Sequence, residues 1–168
     1  MSREIQNQRK MKNVILVFIV FWMGVNAHAQ VNPHAIGLRF GGNGNVVGAE
    51  ISYQHGLGDA NRLELDLGFG GSRTHSRMFL AGIYHWVWNI TDALNWYVGP
   101  GASVGLYSYD NYDSYLNVAL GGQIGIEYDF KKKNVPILLS IDTRPMWDFL
   151  GDHSGLGWGA ALGIRYVW

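Results

Sequence analysis

The chain has 168 residues, 23 of them glycine and none cysteine, with 14% aromatic residues and a formal net charge of zero. That length allows one domain, and the lack of thiols excludes a disulfide framework and a cysteine-ligated metal site. So balanced a charge also lacks the basic surface that phosphate contacts need, so nucleic acid is not an expected partner.

The N-terminus carries Arg3, Arg9, Lys10 and Lys12, an apolar run over residues 14–25, and then Ala27, His28 and Ala29. A basic region, an apolar region and an A-x-A motif in that order predict a cleaved secretory signal peptide over residues 1–29. A membrane-anchoring helix is the alternative, but a run of about a dozen residues falls short of the roughly 20 that span a bilayer. Met11 is an alternative start, because Lys12 still precedes the apolar region. Cleavage takes four basic and one acidic residue with it and leaves nine and twelve in residues 30–168, a formal net charge of −3. No later segment is apolar over a helical span, so residence in a membrane requires a barrel.

From residue 36 the chain alternates between large apolar and small or polar residues, the period of a strand with two unlike faces. Ile36, Leu38 and Phe40 open the series as a short first strand. Val47, Ala49, Ile51 and Tyr53 follow, then a tight turn at Gly58, Asp59, Ala60 and Asn61, then Leu63, Leu65, Leu67 and Phe69. Residues 71–77 read as a polar loop. In the fourth run both faces are apolar, and Leu80, Tyr84, Trp86 and Trp88 are the favoured outward set over Phe79, Ala81, Ile83 and Val87. The fifth sets Trp96, Val98, Ala102, Val104 and Leu106 against Tyr97, Gly99, Gly101, Ser103 and Gly105. Pro100 brings no N–H to a ladder, and between two glycines it predicts a bulge. After a loop over residues 108–115, Leu116, Val118, Leu120, Ile124, Ile126 and Tyr128 form the sixth run, which ends at the basic turn Lys131, Lys132, Lys133 and Asn134. Ile137, Leu139, Ile141 and Thr143 form the seventh, and a loop over residues 148–157 leads to Trp158, Ala160, Leu162, Ile164, Tyr166 and Trp168 in the eighth.

Eight such runs predict an all-β, eight-stranded antiparallel up-and-down transmembrane β-barrel. A soluble lipocalin-like carrier would show the same period with the faces reversed. The large apolar face is almost free of charge, while the other collects glycine, alanine, serine and ions, which suits the narrow interior of an eight-stranded barrel. The expected inward network is Arg39, Arg62, Arg144 and Arg165 against Glu50, Glu64, Asp66, Glu127 and Asp142, near enough to balance for a buried set. Tyr53, Trp86, Trp88, Trp96, Tyr97, Tyr128, Tyr166 and Trp168 fall near one set of strand ends and are expected to form one interfacial girdle. Short turns then lie on the periplasmic side and the longer polar segments outside.

The last strand is apolar at alternate positions Leu162, Ile164 and Tyr166 and aromatic at Trp168. It resembles the assembly signal of bacterial outer-membrane barrels. The whole segment from residue 30, including Asn95 to Gly101, resembles the small outer-membrane barrels of the OmpX, OmpW and OmpA-transmembrane type. The resemblance implies residence in the bacterial outer membrane, contact with its lipids, recognition of the last strand by the barrel-assembly machinery, and no cofactor. It departs in ending on Trp rather than Phe and in its shorter outer loops, which speaks against adhesion through a protruding sheet.

Some eight-stranded barrels modify lipid A with His, Ser and an acidic residue at the outer rim, and Asp152, His153 and Ser154, or His75 and Ser76, are the candidates here. Neighbours in sequence are not a triad, whose groups must converge in space, and the spacing does not match the deacylase His-x-Ser pattern. Tyr109, Asp110, Asn111, Tyr112 and Asp113 lack the spacing and glycine of a calcium loop, and no metal site is expected. Lys131 to Lys133 read as a solvated turn that guards against aggregation. The expected function is therefore non-enzymatic, structural or surface-interacting and without an open pore, with a lipid A acyltransferase or deacylase as the alternative.

Overall fold

The computed structural model describes residues 30–43, 46–71, 75–109, 112–149 and 155–168. Their strands are β1 (His34–Asn43), β2 (Val46–Gly56), β3 (Asn61–Gly71), β4 (His75–Asn89), β5 (Leu94–Tyr109), β6 (Tyr112–Asp129), β7 (Ile137–Asp148) and β8 (Gly155–Val167). Each pairs antiparallel with the next, and β8 pairs with β1 to close the barrel in sequence order. Closure is what the alternating pattern needs, because a barrel leaves no row of unpaired backbone groups at a sheet edge. Ile36, Leu38, Phe40, Leu65, Leu67, Phe69, Leu80, Ile126, Ile141 and Ile164 all point outward and are exposed, while Ser52, Glu64, Asp66 and Arg165 point into the lumen and are buried.

The inner end is built from tight connections. Leu57 N donates to Asn61 O at 2.9 Å, and Ile90 N donates to Leu94 O at 2.8 Å. The basic turn is a single 3-10 turn over Phe130–Lys133: the Asp129 carboxylate accepts from Lys131 N, and Asn134 closes it at φ 62. Asparagine enters that left-handed region at lower cost than most residues. Asn32 Nδ2 reaches across to Asp129 Oδ2 at 2.8 Å and Val31 N donates to Asp59 O at 3.0 Å, so the segment before β1 lies over the inner mouth.

Three details differ from the sequence reading. β1 is ten residues long, not short. The segments read as loops at 71–77 and 108–115 are mostly strand: β4 starts at His75, and β5 and β6 continue to Tyr109 and Tyr112. Polar composition at a rim marks solvent exposure, and a strand that extends past the apolar belt satisfies it as well as a loop does. Pro100 makes no bulge. The β4–β5 register is the same on both sides of it, and the ladder merely lacks the rungs between Ile83↔Gly101 and Trp86↔Val98. Pro145 does the same to β6 and β7, between Gly121↔Met146 and Ile124↔Thr143. A Cβ at Gly99 would lie 1.6 Å from Tyr84 O, so it is glycine that lets the two backbones stay in register beside the proline. The register shift falls instead between Tyr107 and Tyr109.

Gly37 has the same role at the closing seam, where an added Cβ would stand 1.9 Å from Ile164 O of β8. Gly37→Ala is therefore expected to destabilise the barrel by about 1–3 kcal/mol through overpacking against backbone. Comparing urea midpoints of the refolded proteins checks this, and an unchanged midpoint would show that the seam yields.

Candidate functional site

The lumen holds the chain's polar chemistry. Period two sends Arg39 of β1, Glu50 of β2, Arg62, Glu64 and Asp66 of β3, Glu127 of β6, Asp142 and Arg144 of β7, and Arg165 of β8 to the inside. Each strand supplies a few charges and its neighbours supply the counter-ions. Glu64 is the hub. It meets Arg165 Nη2 at 3.1 Å and Arg144 Nη2 at 3.5 Å, and accepts from Gln54 and, at 3.1 Å, from Gln123. Arg144 also contacts Asp66 and Glu50, and Arg39 joins Glu50 at 2.6 Å and Asp142. Arg165 is completed by the hydroxyls of Ser52 at 2.9 Å and Ser140 at 2.8 Å.

Arg62 and Glu127 form a separate pair at 2.7 Å, with Asn95 donating to Glu127 at 3.3 Å. Tyr97 joins the two groups. Its ring lies 4.7 Å beneath the Arg62 guanidinium, and its hydroxyl donates to Asp142 at 3.3 Å. Tyr97 is wholly buried and so does not belong to the interfacial girdle in which the sequence reading placed it. The others of that set do gather at the inner rim, with Trp88 on Trp96 at 4.5 Å and Tyr166 on Trp168 at 5.9 Å. His85, also wholly buried, was missed. Its Nδ1 accepts from Arg62 Nε at 3.3 Å, which leaves the ring proton on Nε2. The available signal was its place two residues after Ile83 on the inward face of β4.

Apolar layers bound the network. Val31, Ala60, Val87 and Tyr97 pack together toward the inner mouth, as do Ala35, Leu138 and Val167. Ala81, Ile83, Ala119 and Met146 form a further layer with Phe79. These inward apolar groups explain why β4 shows two apolar faces; its outward set is Leu80, Tyr84, Trp86 and Trp88. Toward the outer mouth lies a cavity of about 90 Å³ whose lining includes Arg39, Glu50, Phe79, Tyr107, Arg144 and Met146. Among the described residues it has room for a few waters above a crosslinked floor.

The rim residues singled out for catalysis fall largely outside the described part of the structure, and the His75 side chain is among them. Asp152, His153 and Ser154 lie outside the described residues, while Ser76 sits on the outward face of β4, exposed and paired with Ser108. Among the described residues no three His, Cys, Asp or Glu side chains converge as a metal site. Leu162, Ile164 and Tyr166 form the outward stripe of β8, and Trp168, just past its end, continues it.

No protein-family model and no curated protein matches the chain. Solved structures do. The chain is similar to the crystal structure of Neisserial surface protein A, with TM-score 0.59 and 13% identity over 80% of this chain and 95% of that one. It is similar also to the N-terminal β-barrel domain of Pseudomonas aeruginosa OprF, with TM-score 0.61 and 17% identity over 80% of this chain and 96% of that one. Closed, antiparallel and built of eight strands in sequence order, the chain has the fold of the small eight-stranded outer-membrane β-barrels.

Proposed function

We propose that the chain is an integral protein of the bacterial outer membrane, exported by a signal cleaved after Ala29. In this reading it is non-enzymatic, has no open pore, and acts through its structure and through contacts at its outer face. The observation that carries this is the distribution of side chains: an uncharged apolar belt outside, and inside it four arginines tied to five carboxylates across the lumen. Lipid would cover the belt, and the stripe ending at Trp168 would be read by the assembly machinery. Contacts at the outer face are supported by the raised wall of β4, β5 and β6. β4 follows β5 as far as His75↔Tyr109, and Tyr112, Tyr115 and Leu116 pair with β5, whereas among the described residues β7 joins β6 only from Ala119 onward.

Reconstituted into a planar bilayer, the purified barrel is expected to give no ohmic conductance steps, because ions would have to break the Arg144–Glu64–Arg165 links to pass. Stable channels of uniform conductance would overturn the closed-lumen reading.

A further inference from the structure

On the outward face of the inner rim, three polar side chains of β1 and β2 turn toward one another. His34 and His55 are direct cross-strand partners. Gly56 N donates to Pro33 O at 2.9 Å, which makes Pro33 and Gly56 the hydrogen-bonded pair and leaves His34 and His55 in the next, non-hydrogen-bonded pair. Facing side chains come closest at such pairs. The two Nδ1 atoms are 3.3 Å apart and the ring centroids 5.0 Å. Tyr53, two residues before His55 on the same face, brings its hydroxyl to 2.9 Å from His34 Nδ1. Trp168 stacks on the His34 ring at 5.4 Å.

A neutral imidazole nitrogen offers one proton or one lone pair. His34 Nδ1 is approached by two polar atoms at once, so hydrogen bonding between the three groups satisfies only part of the cluster. A metal ion satisfies all of it. In a tetrahedral centre with metal–nitrogen bonds of about 2.0–2.1 Å, ligand nitrogens stand about 3.3–3.4 Å apart, the spacing seen between His34 and His55. We propose that His34 and His55 bind a divalent transition-metal ion of the zinc or copper class through their Nδ1 atoms, with the Tyr53 oxygen as third donor and the remaining position open to water. Imidazole selects such ions over calcium and magnesium, which take oxygen ligands. The ion would tie β1 to β2 beside the seam where Trp168 N donates to His34 O at 3.2 Å. An ion that binds the folded barrel and not the unfolded chain stabilises it.

Titration of the folded barrel in detergent micelles with zinc chloride, followed by calorimetry, tests this. One zinc per barrel is expected, with at least a tenfold loss of affinity in both His34→Gln and His55→Gln. Tyr53→Phe is expected to keep the stoichiometry and weaken binding by roughly tenfold. Heat-dependent gel migration checks that each variant is folded. A reading that needs no variant comes from nitrogen-15 spectra of the histidine rings in the unmodified protein, where zinc is expected to shift the Nδ1 resonances of two histidines. The proposal is overturned if the unmodified barrel takes up no zinc, if uptake persists undiminished in the His34→Gln/His55→Gln double variant, or if calcium competes equally for the site.

Discussion

Replacing Glu64 by alanine is expected to lower the unfolding free energy of the barrel by about 3–5 kcal/mol, the usual cost of removing one partner from a buried ion pair. Glu64 is wholly buried, and four side chains from four other strands converge on it: Gln54 of β2, Gln123 of β6, Arg144 of β7 and Arg165 of β8. Their dependence on it differs. Arg144 keeps Asp66 and Glu50, whereas Arg165 is left with the two serine hydroxyls and no counter-ion. Most of the loss therefore comes from the uncompensated Arg165 charge. Glu50→Ala should cost less, because Arg39 retains Asp142 and Arg144 retains Asp66 and Glu64. Urea unfolding in the same lipid or detergent separates the two variants. A Glu64→Ala barrel within about 1 kcal/mol of the parent, less than a charged hydrogen bond is worth, would mean that the lumen re-solvates Arg165 without difficulty.

The second large effect lies on the opposite face. Leu67 occupies the middle of an outward row, with Ile51 on one side and Leu80 on the other. Leu67→Arg is expected to cost about 2–4 kcal/mol in a bilayer, the range for arginine at the midplane of a lipid-facing strand. Leu63→Arg, beside His55 and Tyr84 in the inner girdle, should cost only about 0–1 kcal/mol, as near the interface. The contrast between two positions on one strand is the useful quantity, since strand propensity and packing loss are similar at both. If Leu67→Arg were as mild as Leu63→Arg, the outward belt would be facing water, and a soluble barrel would replace the membrane one.

The strand count, the closure and the choice of outward face were legible in the sequence because a strand's period is two and the large apolar side chains keep to one face of nearly every run. The alternation of Leu63, Leu65, Leu67 and Phe69 with Arg62, Glu64, Asp66 and Gly68 carries most of that information in a single strand. The limits of the rims were less legible. His75 and Ser76 look like loop residues from composition, yet a strand that continues beyond the apolar belt is free to be polar on both faces. Pairing across the lumen was not legible at all. Arg165 reaches Glu64 from 101 positions away, and only the tilt and stagger of the closed barrel choose that partner over Asp66 or Asp142. The juxtaposition of His34 and His55 was illegible for a related reason: the residues are 21 positions apart and meet only in the register that pairs β1 directly with β2, from Asn43 opposite Val46 to His34 opposite His55.

The missing rungs beside Pro100 and Pro145 give the lumen network a second role. On the β6–β7 side, Gln123 and Arg144 lie where the backbone ladder is open, and Arg144 Nε donates to Gln123 Oε1 at 3.1 Å. On the β4–β5 side the gap holds His85, which is tied to Arg62 and packs on Tyr97 of β5 at 4.6 Å. Side chains inside the barrel thus stitch the wall where its backbone cannot. The β5–β6 ladder keeps every rung from Leu94↔Tyr128 to Tyr107↔Tyr115, short of its register shift, while each of these two strands meets its other neighbour across a gap that side chains close, so the lumen network also sets how firmly this pair of strands is held in the wall.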